Sequence, residues 1–250
     1  MRVARVDFEG QAHWAQLSDD KVYLLDADPI VLANAQVVRE VQMAQVRLLA
    51  PCTPSKIVAV GVNYAAHAGE MGHELAEEPI LFLKPPSAII APDELIHRPG
   101  NERVDYEGEL ALIISKECHD ISPESWREYV FGFTCLNDVT ARQLQSKDGQ
   151  WTRAKGFDTF SPIGPWIETE LDPADLKICT RLNGQVVQES TTALLLCDVP
   201  NLLAFISRVM TLVPGDVITT GTPAGIGPME DADVVEVEVE GIGVLRNTMA

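Results

Sequence analysis

The sequence predicts a mixed α+β fold that is built mainly on β-sheets. Short apolar runs typical of strands outnumber the helix-like segments along the chain. These runs do not alternate regularly with helices, as the βαβ units of a parallel sheet would. The 250 residues are 46% hydrophobic and 22% charged, which is the composition of a globular protein with a sizeable core.

The first fifty residues are expected to form a small β-rich unit. Polar turn sequences separate its apolar runs, and Pro51 and Pro54 mark its end. Fifty residues are few for an independent domain, so we expect an appendage at 1–52 and the main domain at 53–250. The apolar runs of this unit are 3–8, 14–17 and 22–25.

The main domain shows further strands and a few helices. The valines of 235–239 alternate with glutamates, which is typical of a strand with one solvated face. Ser122 and Pro123 form a typical helix start, and Pro214-Gly215 ends a helix predicted at 200–212. A helix is also expected at 139–146. The other predicted strands are 57–61, 80–83, 110–115 and 217–220.

The charge balance excludes some classes of partner. The chain has 37 acidic and 19 basic residues, so its net charge is −18. Such a surface repels phosphate backbones and anionic lipid, and we expect no nucleic-acid or membrane partner. The five cysteines form no CxxC pair, and no run reaches the ~18 apolar residues of a membrane span. With no signal peptide visible, these features predict a cytoplasmic protein.

A pair of glutamates at a strand entry is the first candidate for chemistry. In a strand, Glu107 and Glu109 would point to the same face, about 6.5–7 Å apart along the chain. Such pairs are more often solvated, but beside a core strand they need a counter-charge such as a hard divalent cation. Asp138, which follows an apolar run, is a candidate third ligand. An N-cap role for Asp138 is an equally good alternative.

Cationic and amide side chains follow Asp138. On the predicted helix Arg142 and Gln145 are three residues apart and share a face. Lys155 stands in an apolar, turn-like setting. Because the chain is so acidic, an anionic substrate would need local positive charge of this kind.

The chain resembles the fumarylacetoacetate hydrolase family over about residues 55–248. Six motifs occur in the order and approximate spacing of that family, and together they are far more specific than any one of them. The short N-terminal unit resembles the extra region of some bacterial members. The motifs are Gly61-Val62-Asn63-Tyr64, Phe82-Leu83-Lys84-Pro85, Asp105-Tyr106-Glu107-Gly108-Glu109, Asn137-Asp138-Val139-Thr140-Ala141-Arg142, Lys155-Gly156-Phe157-Asp158 and Thr220-Gly221-Thr222-Pro223.

The resemblance implies a mixed β-sheet roll or sandwich and a homodimer. It implies that Glu107, Glu109 and Asp138 hold a divalent metal, commonly Mg²⁺, with Mn²⁺ or Ca²⁺ as alternatives. It maps His67 and Glu70 onto a catalytic pair on a mobile lid at 65–78, whose glycines would allow motion. The remaining residues that match family positions facing metal or substrate are Arg142, Gln145, Lys155 and Thr222.

The resemblance also implies the type of chemistry. Family members act on small anionic keto acids through an enolate that the metal stabilises. We expect hydrolytic C–C cleavage of an acylpyruvate or fumarylpyruvate, with Lys155 as a further catalytic residue. The alternatives are a 2-hydroxyhepta-2,4-diene-1,7-dioate isomerase and a decarboxylase of the 5-oxopent-3-ene-1,2,5-tricarboxylate or oxaloacetate type. A non-catalytic, metal-containing binding module is a minor alternative.

Overall fold

The computed structural model describes residues 1–32, 34–72 and 77–250. In this described part, the N-terminal region contributes β1 (Arg2–Phe8), β2 (Gln11–Ser18), β3 (Lys21–Leu25), β4 (Val37–Gln42) and β5 (Arg47–Leu49). The following strands are β6 (Ile57–Val60), β7 (Leu81–Lys84), β8 (Ile89–Ile90), β9 (Leu95–Ile96), β10 (Val104–Tyr106), β11 (Gly108–Ile114), β12 (Val130–Asn137), β13 (Thr140–Ala141), β14 (Ser161–Glu168), β15 (Lys177–Leu182), β16 (Gln185–Thr191), β17 (Val217–Thr219), β18 (Gly227–Pro228), β19 (Val234–Val239) and β20 (Gly243–Met249). The α-helices are α1 (Ala65–Met71), α2 (Arg142–Asp148), α3 (Thr152–Lys155) and α4 (Val199–Val209).

The strands form three sheets. The largest runs in the order β4-β3-β2-β1-β14-β12-β11-β17-β6-β7, with β5 on β1 and β8 on β14. A second sheet has the order β16-β15-β19-β20-β9, and β13, β10 and β18 form a small third one. Both parallel and antiparallel pairs occur, as in the parallel pairing of β17 with β6. The predicted mixed, sheet-based fold is therefore confirmed.

The main core lies between the two larger sheets. Leu110, Leu112 and Phe133 from the first sheet pack with Val237 and Leu245 from the second, and all five are buried. The apolar face of α4 closes this core. The sandwich holds β11 and β12 rigidly, because they lie side by side at its centre and are buried along nearly their whole length.

The N-terminal unit is continuous with the main sheet rather than separate from it. Strand β1 pairs with β2 on one side and with β14 on the other. Strands β4 and β5 were not predicted, because β4 is mostly exposed and β5 is only three residues long. The division of the chain at 52/53 remains a prediction.

All three predicted helices differ from the structure in their bounds or type. The helix expected at 200–212 is α4, which ends at Val209, before Pro214 and Gly215. The helix expected at 139–146 begins only at Arg142, because Thr140 and Ala141 pair with β10 as strand β13. The alternative role of Asp138 as an N-cap is wrong for the same reason, since the residue that precedes α2 is Ala141. The segment Pro123–Glu128 is a 3₁₀ helix, and Ser122 makes no side-chain cap. No helix in the described ranges is long and apolar enough to cross a membrane.

Candidate metal and substrate site

Three buried carboxylates meet at the end of the central strands. One oxygen from each of Glu107, Glu109 and Asp138 lies within 4.8 Å of the other two. All three residues are at most 4% exposed. Glu107 immediately precedes β11, Glu109 lies in it, and Asp138 follows β12, which is the antiparallel neighbour of β11. The predicted Glu-x-Glu pair and its third partner are thus brought together by strand pairing.

The backbone around the carboxylates is fixed by buried amides. The Oδ1 atom of Asn137 accepts a hydrogen bond from the backbone N–H of Glu107 at 2.9 Å. The Oε1 atom of Gln188 accepts one from Gly108 N–H at 3.0 Å. Thr222 donates its hydroxyl proton to the carbonyl of Gly108 at 3.0 Å, and Gln188 donates to the Thr222 oxygen at 2.8 Å. These bonds orient both glutamates from beneath.

Gly108 has no space for a side chain. A Cβ atom there would lie 2.1 Å from the Oγ1 atom of Thr180 and 3.2 Å from Val237. The absence of a side chain lets the second sheet approach β11 at the level of the carboxylates.

Two buried lysines contact the carboxylates. Lys155 Nζ donates to Glu107 Oε2 at 2.7 Å and to Asp138 Oδ2 at 2.6 Å. Lys84 is fully buried and donates to Asp138 Oδ1 and, at 3.3 Å, to the carbonyl of Val139. Burial lowers the pKa of Lys84, with the charge of Asp138 opposing that effect. Burial acts on Lys155 in the same way, but Asp138 and Glu107 together raise its pKa.

Arg142 supports the same cluster from α2. Its Nη2 atom donates to Glu107 and its Nε atom to Asp105 Oδ2 at 2.9 Å. Its Nη1 atom donates to Gln145 Oε1 at 2.5 Å. Asp105 is completely buried and also accepts two bonds from Arg103. The guanidinium therefore holds Glu107 in place, and its expected contact with substrate remains a prediction.

The cations compensate the charge of Glu107 much more than that of Glu109, which Lys155 influences without contacting it. Burial would raise the pKa of Glu107, but the charges of Lys155 and Arg142 lower it to about 2. For Glu109, burial raises the pKa to about 8, and the negative charge of Asp138 adds to the effect. Glu109 accepts a hydrogen bond from the backbone N–H of Gly221 at 2.9 Å.

The unequal charge compensation of Glu107 and Glu109 bears on whether these residues could hold a metal ion. Three carboxylate oxygens without histidine or cysteine are a donor set that suits Mg²⁺, Mn²⁺ or Ca²⁺. A cation at this point would supply the positive charge that Glu109 lacks. Within the described residues, the buried hydroxyl of Tyr64 also has no hydrogen-bond partner, and the charge of Glu109 contributes to raising its pKa after burial does. The site fits a hard divalent ion.

Helix α1 brings a histidine and a glutamate to the site. His67 is 3% exposed, and its Nδ1 atom lies 3.1 Å from Glu70 Oε2. Glu70 also accepts hydrogen bonds from the backbone N–H of Gly225, at 3.1 and 3.2 Å. A positive charge on His67 would help to lower the pKa of Glu107, so the imidazole is close enough to the triad to interact with Glu107. The predicted mobility of 65–78 remains a prediction, and residues 73–76 of that segment lie outside the described ranges.

Arg142, Gln145, Lys155 and Thr222 are linked by hydrogen bonds to the carboxylates, to each other or to the backbone between the two glutamates. His67 contacts Glu70 and lies close enough to Glu107 for an electrostatic interaction. Their individual roles remain predictions. Lys84, Asp105 and Gln188 were not predicted, although Lys84 and Asp105 lie within motifs quoted above. Two signals in the sequence could have identified Asp105 and Lys84. Asp105 continues the period-2 series of Glu107 and Glu109, and Lys84 lies at the end of an apolar strand. Gln188 has no local signal, since it reaches the site only through sheet packing.

Two family models match this chain. The model described as fumarylacetoacetate (FAA) hydrolase C-terminal matches residues 56–250, and the one described as Rv2993c-like, N-terminal, matches residues 1–51. The first covers well over half of the sequence and includes every residue of the site. The chain belongs to the fumarylacetoacetate hydrolase family.

Similar proteins are enzymes with related reactions. The crystal structure of 5-carboxymethyl-2-hydroxymuconate delta-isomerase from Mycobacterium smegmatis is 46% identical, with a TM-score of 0.93 over 100% of this chain and 99% of the other. A mitochondrial oxaloacetate tautomerase from Homo sapiens is 42% identical over 218 residues, covering 82% of this chain and 69% of the relative. The maleylpyruvate hydrolase from Sphingobium sp. SYK-6 is 32% identical, with a TM-score of 0.84 over 100% and 99% of the two chains. The family therefore includes isomerases, tautomerases and hydrolases.

Proposed function

We propose that this protein is a divalent-metal-dependent enzyme that moves a proton on a small 2-oxo acid and so interconverts its enol and keto forms. The observation that carries the proposal is the buried triad, in which Glu109 has no cationic partner in the described part of the chain. Mg²⁺ or Mn²⁺ held by Glu107, Glu109 and Asp138 would stabilise negative charge that develops on the substrate oxygen.

His67 is the proposed base. Because its Nδ1 atom faces the carboxylate of Glu70, the Nδ1 proton is donated there and Nε2 carries the free electron pair. His67 Nε2 takes a proton from the carbon next to the oxo group, and the C–H electron pair shifts to form the enolate. Return of the proton to a different atom completes the isomerisation. Glu70 orients the imidazole and stabilises its protonated form.

The cationic side chains of the site assist binding of the anionic substrate. Lys155 and Arg142 hold Glu107 and Asp138 and add positive charge where an anionic substrate must bind. An acidic chain cannot attract an anion over long distances, so this local charge matters. The similarity to the isomerase and the tautomerase, at 46% and 42% identity, supports proton transfer as the reaction.

Hydrolytic C–C cleavage of an acylpyruvate is a second candidate. The observation that favours it is the same pair, because a histidine oriented by a glutamate can also take a proton from water. Maleylpyruvate hydrolase, at 32% identity, is a relative with that type of reaction in its name. A homodimer is the assembly that the family resemblance implies, and light scattering of the purified protein tests it.

The experiment that separates these reactions uses three substrates with the Mg²⁺-loaded protein. A dienol of the 2-hydroxymuconate type, oxaloacetate and an acylpyruvate are incubated with wild type and with Glu109→Gln. We expect the ultraviolet absorbance of the enol to change without release of pyruvate or CO₂, and the variant to be inactive. Stoichiometric release of pyruvate and a carboxylic acid from the acylpyruvate, without CO₂, would establish hydrolysis. Release of CO₂, accompanied by pyruvate when the substrate is oxaloacetate, would establish decarboxylation. No turnover of any 2-oxo acid would contradict the proposal.

A further inference from the structure

An aromatic pair lies beside the charged site and takes no part in the contacts described above. The rings of Phe82 and Trp151 meet edge to face, with their centroids 5.3 Å apart and an interplanar angle of 78°. The Nζ atom of Lys155 lies 5.1 Å from the centroid of the Phe82 ring. Since the same Nζ contacts Glu107 and Asp138, the aromatic pair begins next to the charged cluster.

The elements that carry the two rings also carry the two lysines. Strand β7 places Phe82 and Lys84 on one face, because residues two apart in a strand point the same way. Lys84 reaches Asp138 from that face. Trp151 directly precedes α3, whose last residue is Lys155. The position of the rings is thus fixed by the same backbone that positions the ammonium groups.

Trp151 also contacts the segment that leads to the catalytic histidine. A Cβ atom at Gly61 would lie 2.4 Å from the Trp151 ring, so the indole packs directly on the Gly61 backbone. Gly61 follows β6, and α1 with His67 begins four residues later. Phe82 and Trp151 are both partly exposed, which leaves ring surface open to a ligand. We call these two residues the aromatic wall.

We propose that the aromatic wall binds the planar, unsaturated arm of the substrate, on the side away from its 2-oxo acid group. This inference rests on the function proposed above and assigns two specificity-determining residues. Phe82 and Trp151 would make a 2-oxo acid with a planar, unsaturated arm bind more tightly than a short one such as pyruvate. The charged end of such a molecule suits the triad, Lys155 and Arg142. Its arm suits ring surface, which attracts a second π-system by edge-to-face or offset stacking.

A purely structural role for the pair makes a different prediction. If the rings only pack α3 against β7, their removal changes the thermal midpoint and affects all ligands equally. If they contact the substrate arm, their removal weakens only those ligands that have an arm. The comparison between two ligands therefore distinguishes the two roles, where a loss of activity alone would not.

The test is isothermal titration calorimetry of the Mg²⁺-loaded protein with pyruvate and with phenylpyruvate. The two probes share the 2-oxo acid group and differ in a planar ring. The variants are Phe82→Leu and Trp151→Leu. The matched control is Trp126→Phe, because Trp126 is also partly exposed and packs against another aromatic ring, that of Phe133, but lies on the 3₁₀ helix that contacts α4. The thermal midpoint of each variant is recorded as well.

In the wild type and the control, we expect phenylpyruvate to bind about tenfold more tightly than pyruvate, which corresponds to about 1.4 kcal/mol. In each wall variant this preference should fall below about threefold, with the Kd of pyruvate unchanged within about twofold. If Trp151→Leu does not fold, Phe82→Leu decides the question alone. Equal binding of both probes to the wild type, or a preference that survives in Phe82→Leu, would overturn the inference while leaving the proposed function intact. Failure of both probes to bind the Mg²⁺-loaded wild type would overturn the proposed function and the inference with it.

Discussion

Glu109 accepts its hydrogen bond from a backbone amide, that of Gly221 at 2.9 Å, whereas Glu107 and Asp138 contact lysine or arginine side chains. Gly221 has a φ of +90°, and a Cβ atom there would lie 2.9 Å from the Cβ of Asn63. Glycine is required at this position for both reasons. The amide that it directs to Glu109 is neutral, so this carboxylate has the least charge compensation of the three.

The space below the Glu-x-Glu pair predicts the effect of one methyl group. Gly108→Ala places a Cβ atom against Thr180 Oγ1, and we expect the free energy of unfolding to fall by about 1–3 kcal/mol. Metal affinity should fall as well, because Glu107 and Glu109 flank the displaced residue. Chemical denaturation and metal titration measure the two effects.

The matched control for this change is Thr180→Ala. Its hydroxyl has no partner among the described residues, so its removal alone should change stability little. In the double variant Gly108→Ala/Thr180→Ala, the new Cβ atom no longer clashes with a hydroxyl group, and part of the lost stability should return. Simple addition of the two single effects, with no recovery, would show that the contact with Thr180 is not the cause.

Arg142→Lys should impair the site although the substitution keeps the positive charge. One ammonium cannot contact Asp105, Glu107 and Gln145 together, as the guanidinium does. We expect a metal affinity at least about tenfold weaker, measured by calorimetry, because Glu107 loses its support. Arg153→Lys is the control, since Arg153 pairs with Asp148 on the surface. Equal affinities for wild type and Arg142→Lys would refute the supporting role.

Lys84→Met tests the unpredicted lysine. It leaves Asp138 with Lys155 as its cation, and removal of one partner from a buried ion pair typically costs about 3–5 kcal/mol. We expect metal-free protein to lose stability on this scale and metal-loaded protein to lose less, because a divalent ion replaces the missing charge. Thermal unfolding with and without Mg²⁺ measures both. An identical loss in the two states would argue against an ion at Asp138.

His67→Ala should separate the base from the metal ligands. The imidazole contacts Glu70, and the candidate metal ligands are the three carboxylates. Metal affinity should therefore stay within about threefold of wild type. Turnover should fall about 10²–10⁴-fold, which is the usual value of a general base. Glu70→Gln should give a smaller loss through the orientation of His67. The assignment is wrong if His67→Ala binds metal much more weakly or retains full turnover.

Local patterns predicted much of this fold and site. The alternating valines of β19 and the buried run of β11 were clear, because strands with a solvated or a fully buried face have distinct periods. The spacing of the acidic residues then indicated the carboxylates, and the family resemblance added His67 as a prediction. The start of α2 was missed because pairing of Thr140 with β10 overrides helix propensity. That competition depends on residues more than thirty positions away.

The unpredicted parts of the site depend on long-range packing. Gln188 reaches Gly108 across eighty positions of sequence. The different environments of Glu107 and Glu109 also follow from tertiary structure, since Lys155 and Arg142 donate hydrogen bonds to Glu107 and not to Glu109. From their spacing in the sequence alone, the two glutamates were predicted to have the same role and the same environment.

The claim that the triad binds a divalent ion through Glu109 is tested most directly by the pH dependence of metal affinity. In the metal-free fold the pKa of Glu109 is about 8, above its ordinary value of 4.5. Its contribution to stability is therefore fully present below about pH 4.5 and is lost progressively as the pH rises from 4.5 to about 8, above which the folded protein holds a bare, buried carboxylate. Metal binding needs that carboxylate ionised and must displace its proton at lower pH.

The measurement is calorimetric titration of Mn²⁺ into wild type and Glu109→Gln at pH 6, 7, 8 and 9. For wild type, we expect affinity to rise about tenfold per pH unit up to about pH 8 and then to level off. Glu109→Gln should bind at least about 100-fold more weakly at pH 9 and lack this rise. Equal affinities of the two proteins, or a wild-type affinity that is constant from pH 6 to 9, would contradict the account.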